Sequence, residues 1–126
     1  TLAQAWLDQG APTRFSLVEL GPGRGTLMAD MLRACGRVAG FLDAAEIVML
    51  EASPALRTVQ ATTLKGHSPI WIEAIDELPE QPTFLVANEF FDALPIRQFV
   101  RDGGNWRERQ VGLSDLVLAL PNRNPH

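Results

Sequence analysis

The sequence predicts an α/β domain: a mainly parallel sheet with helices on both faces and an antiparallel strand extension at the C-terminal end. Three observations predict it. Up to Pro95, short apolar runs alternate with stretches of helical periodicity, the order of a parallel sheet with crossover helices. The first runs stop abruptly at a glycine or an acid, as strands buried on both faces do. Beyond Pro95, strand-like runs are split by glycine-containing turns. A chain of 126 residues supports one core. Residues 1–95 are therefore expected to form the sheet-and-helix core, and residues 96–126 a β-rich extension of the same domain.

Taken in order, residues 2–9 (LAQAWLDQ) read as a helix closed by Gly10 and broken by Pro12. Residues 15–20 (FSLVEL) are the first strand, followed by Gly21-Pro22-Gly23-Arg24-Gly25. Thr26 is a cap for a helix carrying Leu27, Met28, Met31 and Leu32, with Gly36 as its stop. Residues 46–50 (EIVML) are the second strand, ending at Glu51. Ser53 is an N-cap with Pro54 at the first helical position, and that helix runs to about Lys65. PIWIE (69–73) is the third strand, residues 76–80 a turn or loop, and TFLVA (83–87) the fourth strand. Residues 96–101, 106–111 and 116–120 are the strands of the extension, which is expected to edge or cover a ligand site.

Composition excludes several classes. The net charge is −4 and no run of Lys or Arg occurs, which argues against a nucleic-acid partner. No apolar run is long enough to span a bilayer, so membrane insertion is not expected. Cys35, the single cysteine, reads as a small packed side chain; with only His67 and His126 besides, no metal-ligand pattern arises. The chain opens at Thr1 inside a helical pattern, which suggests a fragment.

In open α/β sheets, ligands bind beyond the carboxyl ends of the strands. Gly21 to Gly25, Glu51, Glu73 and residues 88–92 all fall there. Glycines at 21, 23 and 25 permit positive φ and close approach of a ligand, and the following helix N-terminus favours an anion. The dinucleotide fingerprint G-x-G-x-x-G would place its third glycine at position 26, where Thr26 stands. The spacing here is G-x-G-x-G, typical of the variant that binds a nucleoside amino acid, S-adenosylmethionine. Pro22 lies inside that loop, and Glu19 just before it is placed to face the cofactor's ammonium group. Glu51, with Ala52 beside it, sits where an acid accepts hydrogen bonds from the two ribose hydroxyls. Glu73 and Ala74, at the carboxyl end of the third strand, are expected to border the adenine, with Glu73 near the exocyclic amine. The alternative for Glu51 taken alone is a helix-leading acid that partners the dipole, although its place with the glycine loop, each directly after a strand, favours the cofactor; the alternative for Glu73 is an ordinary surface residue.

Asn88-Glu89-Phe90-Phe91-Asp92 is the most unusual stretch. Asn88 is a candidate for orienting the acceptor or the cofactor. Glu89 and Asp92 suit a cationic acceptor, because a planar guanidinium pairs bidentately with a carboxylate. Such pairing would aim one nitrogen at the methyl carbon, which is catalysis by orientation. The alternative makes the two acids caps of a turn leading to Pro95. Phe90 and Phe91 read as core residues, with walling of the site as their other reading.

LVELGPGRGTLMADMLRA (17–34), paired with ANEFFDALPIRQFV (87–100), resembles the MidA-like methyltransferases. That family includes a mitochondrial protein-arginine methyltransferase acting in respiratory complex I assembly. The resemblance implies a Rossmann-like class I methyltransferase fold using S-adenosylmethionine. It implies transfer to an arginine side chain of a protein substrate, with a complex I subunit as the kind of target. The implied compartment is the cytoplasm in a bacterium or the mitochondrial matrix in a eukaryote. Gly21, Gly23, Gly25 and Glu51 match the family's cofactor positions, and residues 88–92 its signature segment. Ile72 departs from the pattern, standing where many relatives carry a histidine. Two other readings are a non-catalytic cofactor-binding assembly module and an NAD-dependent oxidoreductase, the latter disfavoured by Thr26.

Overall fold

The computed structural model describes residues 2–110. They divide into two compact units, with the break between Asp92 and Ala93. In the first, helix α1 (Leu2–Asp8) precedes strand β1 (Phe15–Leu20), helix α2 (Thr26–Cys35) and a short helix α3 (Phe41–Ala44). Strand β2 (Ala45–Leu50), helix α4 (Pro54–Thr63), strand β3 (Ile70–Ile72) and strand β4 (Thr83–Ala87) follow. The four strands pair in the order β3-β2-β1-β4, and every pairing is parallel. The 3₁₀ turn Ile75–Glu77 occupies part of the stretch read as a turn.

Alternation along the strands sorts the core. Phe15 and Leu17 of β1 and Ile47 and Met49 of β2 pack with Trp6 of α1, Met28, Leu32 and Cys35 of α2, Phe41 of α3 and Leu64 after α4. The rings of Trp6 and Phe15 both meet Phe41 edge-on, at 5.5 and 5.2 Å between centroids. Trp6 also donates its indole N–H to the Pro12 carbonyl at 3.1 Å, which satisfies its one polar atom. Residues of the opposite parity, Val18, Leu20 and Val48, with Ile72 of β3, form a second cluster against which Leu78 and Phe90 pack. Segments beyond the carboxyl ends of β3 and β4 thus press on that side of the sheet.

Two local readings change. α2 is not capped by Thr26: Gly25 is the N-cap, in the left-handed conformation (φ 79°), and no side chain caps the helix there. Thr26 is its first helical residue. α3 is unannounced by any periodicity, being one turn long. Ser53 behaves as expected, accepting the Leu56 N–H on its hydroxyl at 3.4 Å.

The second unit holds an antiparallel hairpin, β5 (Gln98–Asp102) and β6 (Asn105–Arg109). Gly103 and Gly104, with φ of 55° and 93°, supply its two-residue turn, the geometry that right-twisted strands favour. Arg97 pairs with Glu108 at 2.7 Å. The strand-like residues 116–120, and Val111 of the preceding run, lie outside the described residues. Among the described residues, no helix is long and apolar enough to cross a membrane.

Candidate functional site

The strand order reverses at β1: the chain leaves it towards β2 and β3, and β4 returns on its other edge. Carboxyl ends at such a switch point form the ligand crevice of open α/β sheets. Everything singled out from the sequence lies at these carboxyl ends, but the structure treats the residues differently.

The glycine loop is a tight turn. Gly21 N–H continues the sheet by donating to the Leu50 carbonyl at 3.3 Å, and Gly25 N–H closes the turn onto the Pro22 carbonyl at 2.8 Å. Gly21, Gly23 and Gly25 all have positive φ, at 60°, 54° and 79°, a conformation that costs any other residue steric strain. Pro22 and Gly25 are buried, whereas Gly21 and Gly23 are exposed and offer backbone to a ligand.

Glu19 sits under this loop with 3% exposure, and its Oε2 has no hydrogen-bond partner among the described residues. Burial pushes its carboxyl up to about 7, against a hydrogen bond from the Met28 backbone that pulls it down. An unsatisfied buried carboxylate oxygen beside a glycine loop suits a cationic ligand group.

Glu51 is held from several sides. Its backbone N–H extends the β2–β3 ladder to the Ile72 carbonyl at 3.0 Å. Oε1 accepts the Ser53 N–H at 2.8 Å, and Oε2 accepts an N–H of the Gln60 amide at 3.3 Å. Its carbonyl accepts from Arg57 Nε at 2.7 Å, and the same guanidinium reaches Glu73 Oε1 at 3.0 Å. Arg57 therefore joins the two acids proposed for opposite ends of a nucleoside. Ala52, between Glu51 and the Ser53 cap, is exposed. Glu73 and Ala74 are exposed too, and both of their N–H groups donate to Glu77 Oε1, at 2.9 and 2.8 Å.

After β4, Asn88, Glu89 and Asp92 are exposed. Glu89 has a positive φ of 52°, an uncommon state for this residue type. Phe90 turns inward: a Cβ added to Gly21 would lie 2.6 Å from its Cδ2. This contact brings the 88–92 segment against the glycine loop. Phe91 meets Phe90 edge-on at 5.4 Å but is 64% exposed, so it is not the core residue expected.

Sequence reasoning missed Arg57, Gln60 and Glu77. Each lies on a helix or in a turn, where a polar residue ordinarily reads as a solvated face. Among the described residues, no group of three or more His, Cys, Asp or Glu side chains could hold a metal ion.

Comparison with known proteins places the chain in a family. Residues 1–125 match a family described as "Putative S-adenosyl-L-methionine-dependent methyltransferase". The protein arginine methyltransferase NDUFAF7, mitochondrial, of Xenopus laevis is 35% identical over 94% of this chain and 32% of its own length. Its Homo sapiens counterpart is 35% identical over 89% of this chain and 31% of its own. A crystal structure of a Burkholderia thailandensis protein bound to S-adenosyl-homocysteine superposes with a TM-score of 0.62 at 32% identity, covering 97% of this chain and 32% of that one. The chain spans about a third of the length of the curated relatives it matches.

Proposed function

The chain belongs to this family of S-adenosyl-L-methionine-dependent methyltransferases, and from that premise we propose that it forms the cofactor-binding part of a protein-arginine N-methyltransferase. The observation that carries the proposal is the contact of Phe90 with Gly21, which sets a segment bearing two exposed carboxylates beside the loop suited to the methyl donor.

The residues fit the cofactor group by group. The glycine loop and the start of α2 take its carboxylate. Glu19 takes its ammonium, a cation that offsets the cost of burying the acid. Glu51 accepts from the ribose hydroxyls with the lone pairs that Ser53 and Gln60 leave free. Glu73 and Ala74 border the adenine. When bound, the cofactor supplies a methyl carbon on a sulfonium. Asn88, Glu89 and Asp92 hold the acceptor, the two carboxylates gripping a guanidinium so that one nitrogen faces that carbon. The protein substrate proposed is a respiratory complex I subunit, in the mitochondrial matrix of a eukaryote; in a bacterium the compartment is the cytoplasm. The net charge of −4 disfavours nucleic acid as the partner.

The test is calorimetric titration with S-adenosylmethionine, with NAD as control, in wild type and Glu51→Ala, followed by methyl transfer to an arginyl peptide. Binding of the methyl donor alone, weakened by Glu51→Ala, is the expected result. Binding of NAD alone would overturn the reading. Cofactor binding without transfer to any arginyl substrate would favour a non-catalytic assembly module.

A further inference from the structure

We infer that Gln60 is a positioning residue, whose buried amide holds the Glu51 carboxylate and the glycine loop in one arrangement. The inference rests on the cofactor reading above. Gln60 lies on α4 and is 0% exposed, an unusual place for a glutamine. Its amide nitrogen donates to the Gly23 carbonyl at 2.8 Å and to Glu51 Oε2 at 3.3 Å. Its amide oxygen accepts the Trp71 indole N–H at 2.7 Å.

Chemistry fixes the direction of that amide. Indole N–H can only donate, and a carbonyl and a carboxylate can only accept. A flipped amide would set donor against donor at Trp71 and acceptor against acceptor at Gly23 and Glu51. Trp71 on β3 thus locks Gln60, and Gln60 commits both of its N–H groups to the two elements proposed to hold the cofactor. The loop also rests on the side chain itself, since a Cβ on Gly25 would lie 3.4 Å from Gln60 Cγ.

The consequence concerns preorganisation. Ser53 N–H on one Glu51 oxygen and Gln60 on the other set the plane of the carboxylate before any ligand arrives. Without the amide, Glu51 is held by the Ser53 N–H on one oxygen only, and its second oxygen must be ordered when the ribose binds, which costs affinity.

The experiment is calorimetric titration of the whole chain with S-adenosylhomocysteine, in a double-mutant cycle of Gln60→Met and Glu51→Ala. Gln60→Met keeps the length of the side chain and removes its hydrogen bonds. It is expected to weaken binding about tenfold in wild type, and no more than about threefold once Glu51 is absent. Trp71→Phe leaves Gln60 in place but unlocks it, and is expected to weaken binding about fivefold, again only with Glu51 present. Should Gln60→Met fail to fold, Trp71→Phe decides alone. A glutamine that only supports the fold would lower the melting temperature and give an additive cycle, which overturns the inference. Binding weakened by Glu51→Ala but by neither other variant overturns the inference and leaves the cofactor reading standing. A wild type that does not bind S-adenosylhomocysteine overturns both.

Discussion

Phe90 packs on Gly21 with no room for a side chain between them: a Cβ at position 21 would stand 2.6 Å from Phe90 Cδ2 and 3.4 Å from Cε2. Gly21 and Phe90 follow neighbouring parallel strands, β1 and β4, so this contact couples the glycine loop to the segment proposed to hold the methyl acceptor.

The first prediction separates crowding from backbone strain. Gly21→Ala meets both the Phe90 ring and a positive φ, and is expected to cost about 2–4 kcal/mol. Gly23→Ala has the same kind of φ but nothing within 4 Å of its Cβ, and is expected to cost about 1 kcal/mol. Phe90→Leu should recover part of the first loss and none of the second. Urea unfolding midpoints check all three. Equal costs at the two glycines would show that the Phe90 ring moves aside for the added methyl group and that crowding adds nothing to the backbone strain.

What could be read from the sequence, and what could not, follows from range of interaction. β1 and β4 appear with the predicted bounds, because each is a compact apolar run flanked by turn residues. The position of Glu51 was legible from a local fact, an acid directly after the strand that ends at Leu50. α3 was not, since a single turn carries no periodicity; yet its Phe41 is fully buried at the centre of the aromatic cluster. Gly25, read as part of a ligand loop, is also the cap of α2, a double use that displaced Thr26. Gln60 was hidden for a different reason. Its partners lie 37 and 11 residues away, at Gly23 and Trp71, and only the folded sheet brings them to one amide.

The second prediction is a pH dependence. Glu19 is raised from its ordinary value of 4.5 to about 7 by burial. Between those values the folded chain keeps a proton that the unfolded chain has released. Stability therefore falls as pH rises through this window, with the full cost present above about 7 and none below 4.5. Glu19→Gln should remove that slope and be the more stable protein at alkaline pH, by a few kcal/mol at about 1.4 kcal/mol per pKa unit. Unfolding of the unliganded protein at about pH 5 and pH 8 measures it. A wild type whose stability is flat across the window would sink the assignment.

The third prediction concerns strain and function at Glu89. A non-glycine residue at φ 52° costs about 1–3 kcal/mol and persists when its surroundings impose it. Asparagine tolerates this conformation better than glutamate, and glycine best. Glu89→Asn and Glu89→Gly are therefore expected to hold or raise stability, by up to about 1 kcal/mol. Both remove a carboxylate proposed to grip the acceptor, so transfer to an arginyl peptide should fall at least tenfold, while affinity for S-adenosylmethionine stays within about threefold. That combination, a protein no less stable but slower, separates strain held for function from a turn that merely happens to be tight. Loss of stability in both variants would mean that the Glu89 side chain supports the turn. Unchanged transfer would remove Glu89 from the acceptor side and leave Asp92 to carry the charge.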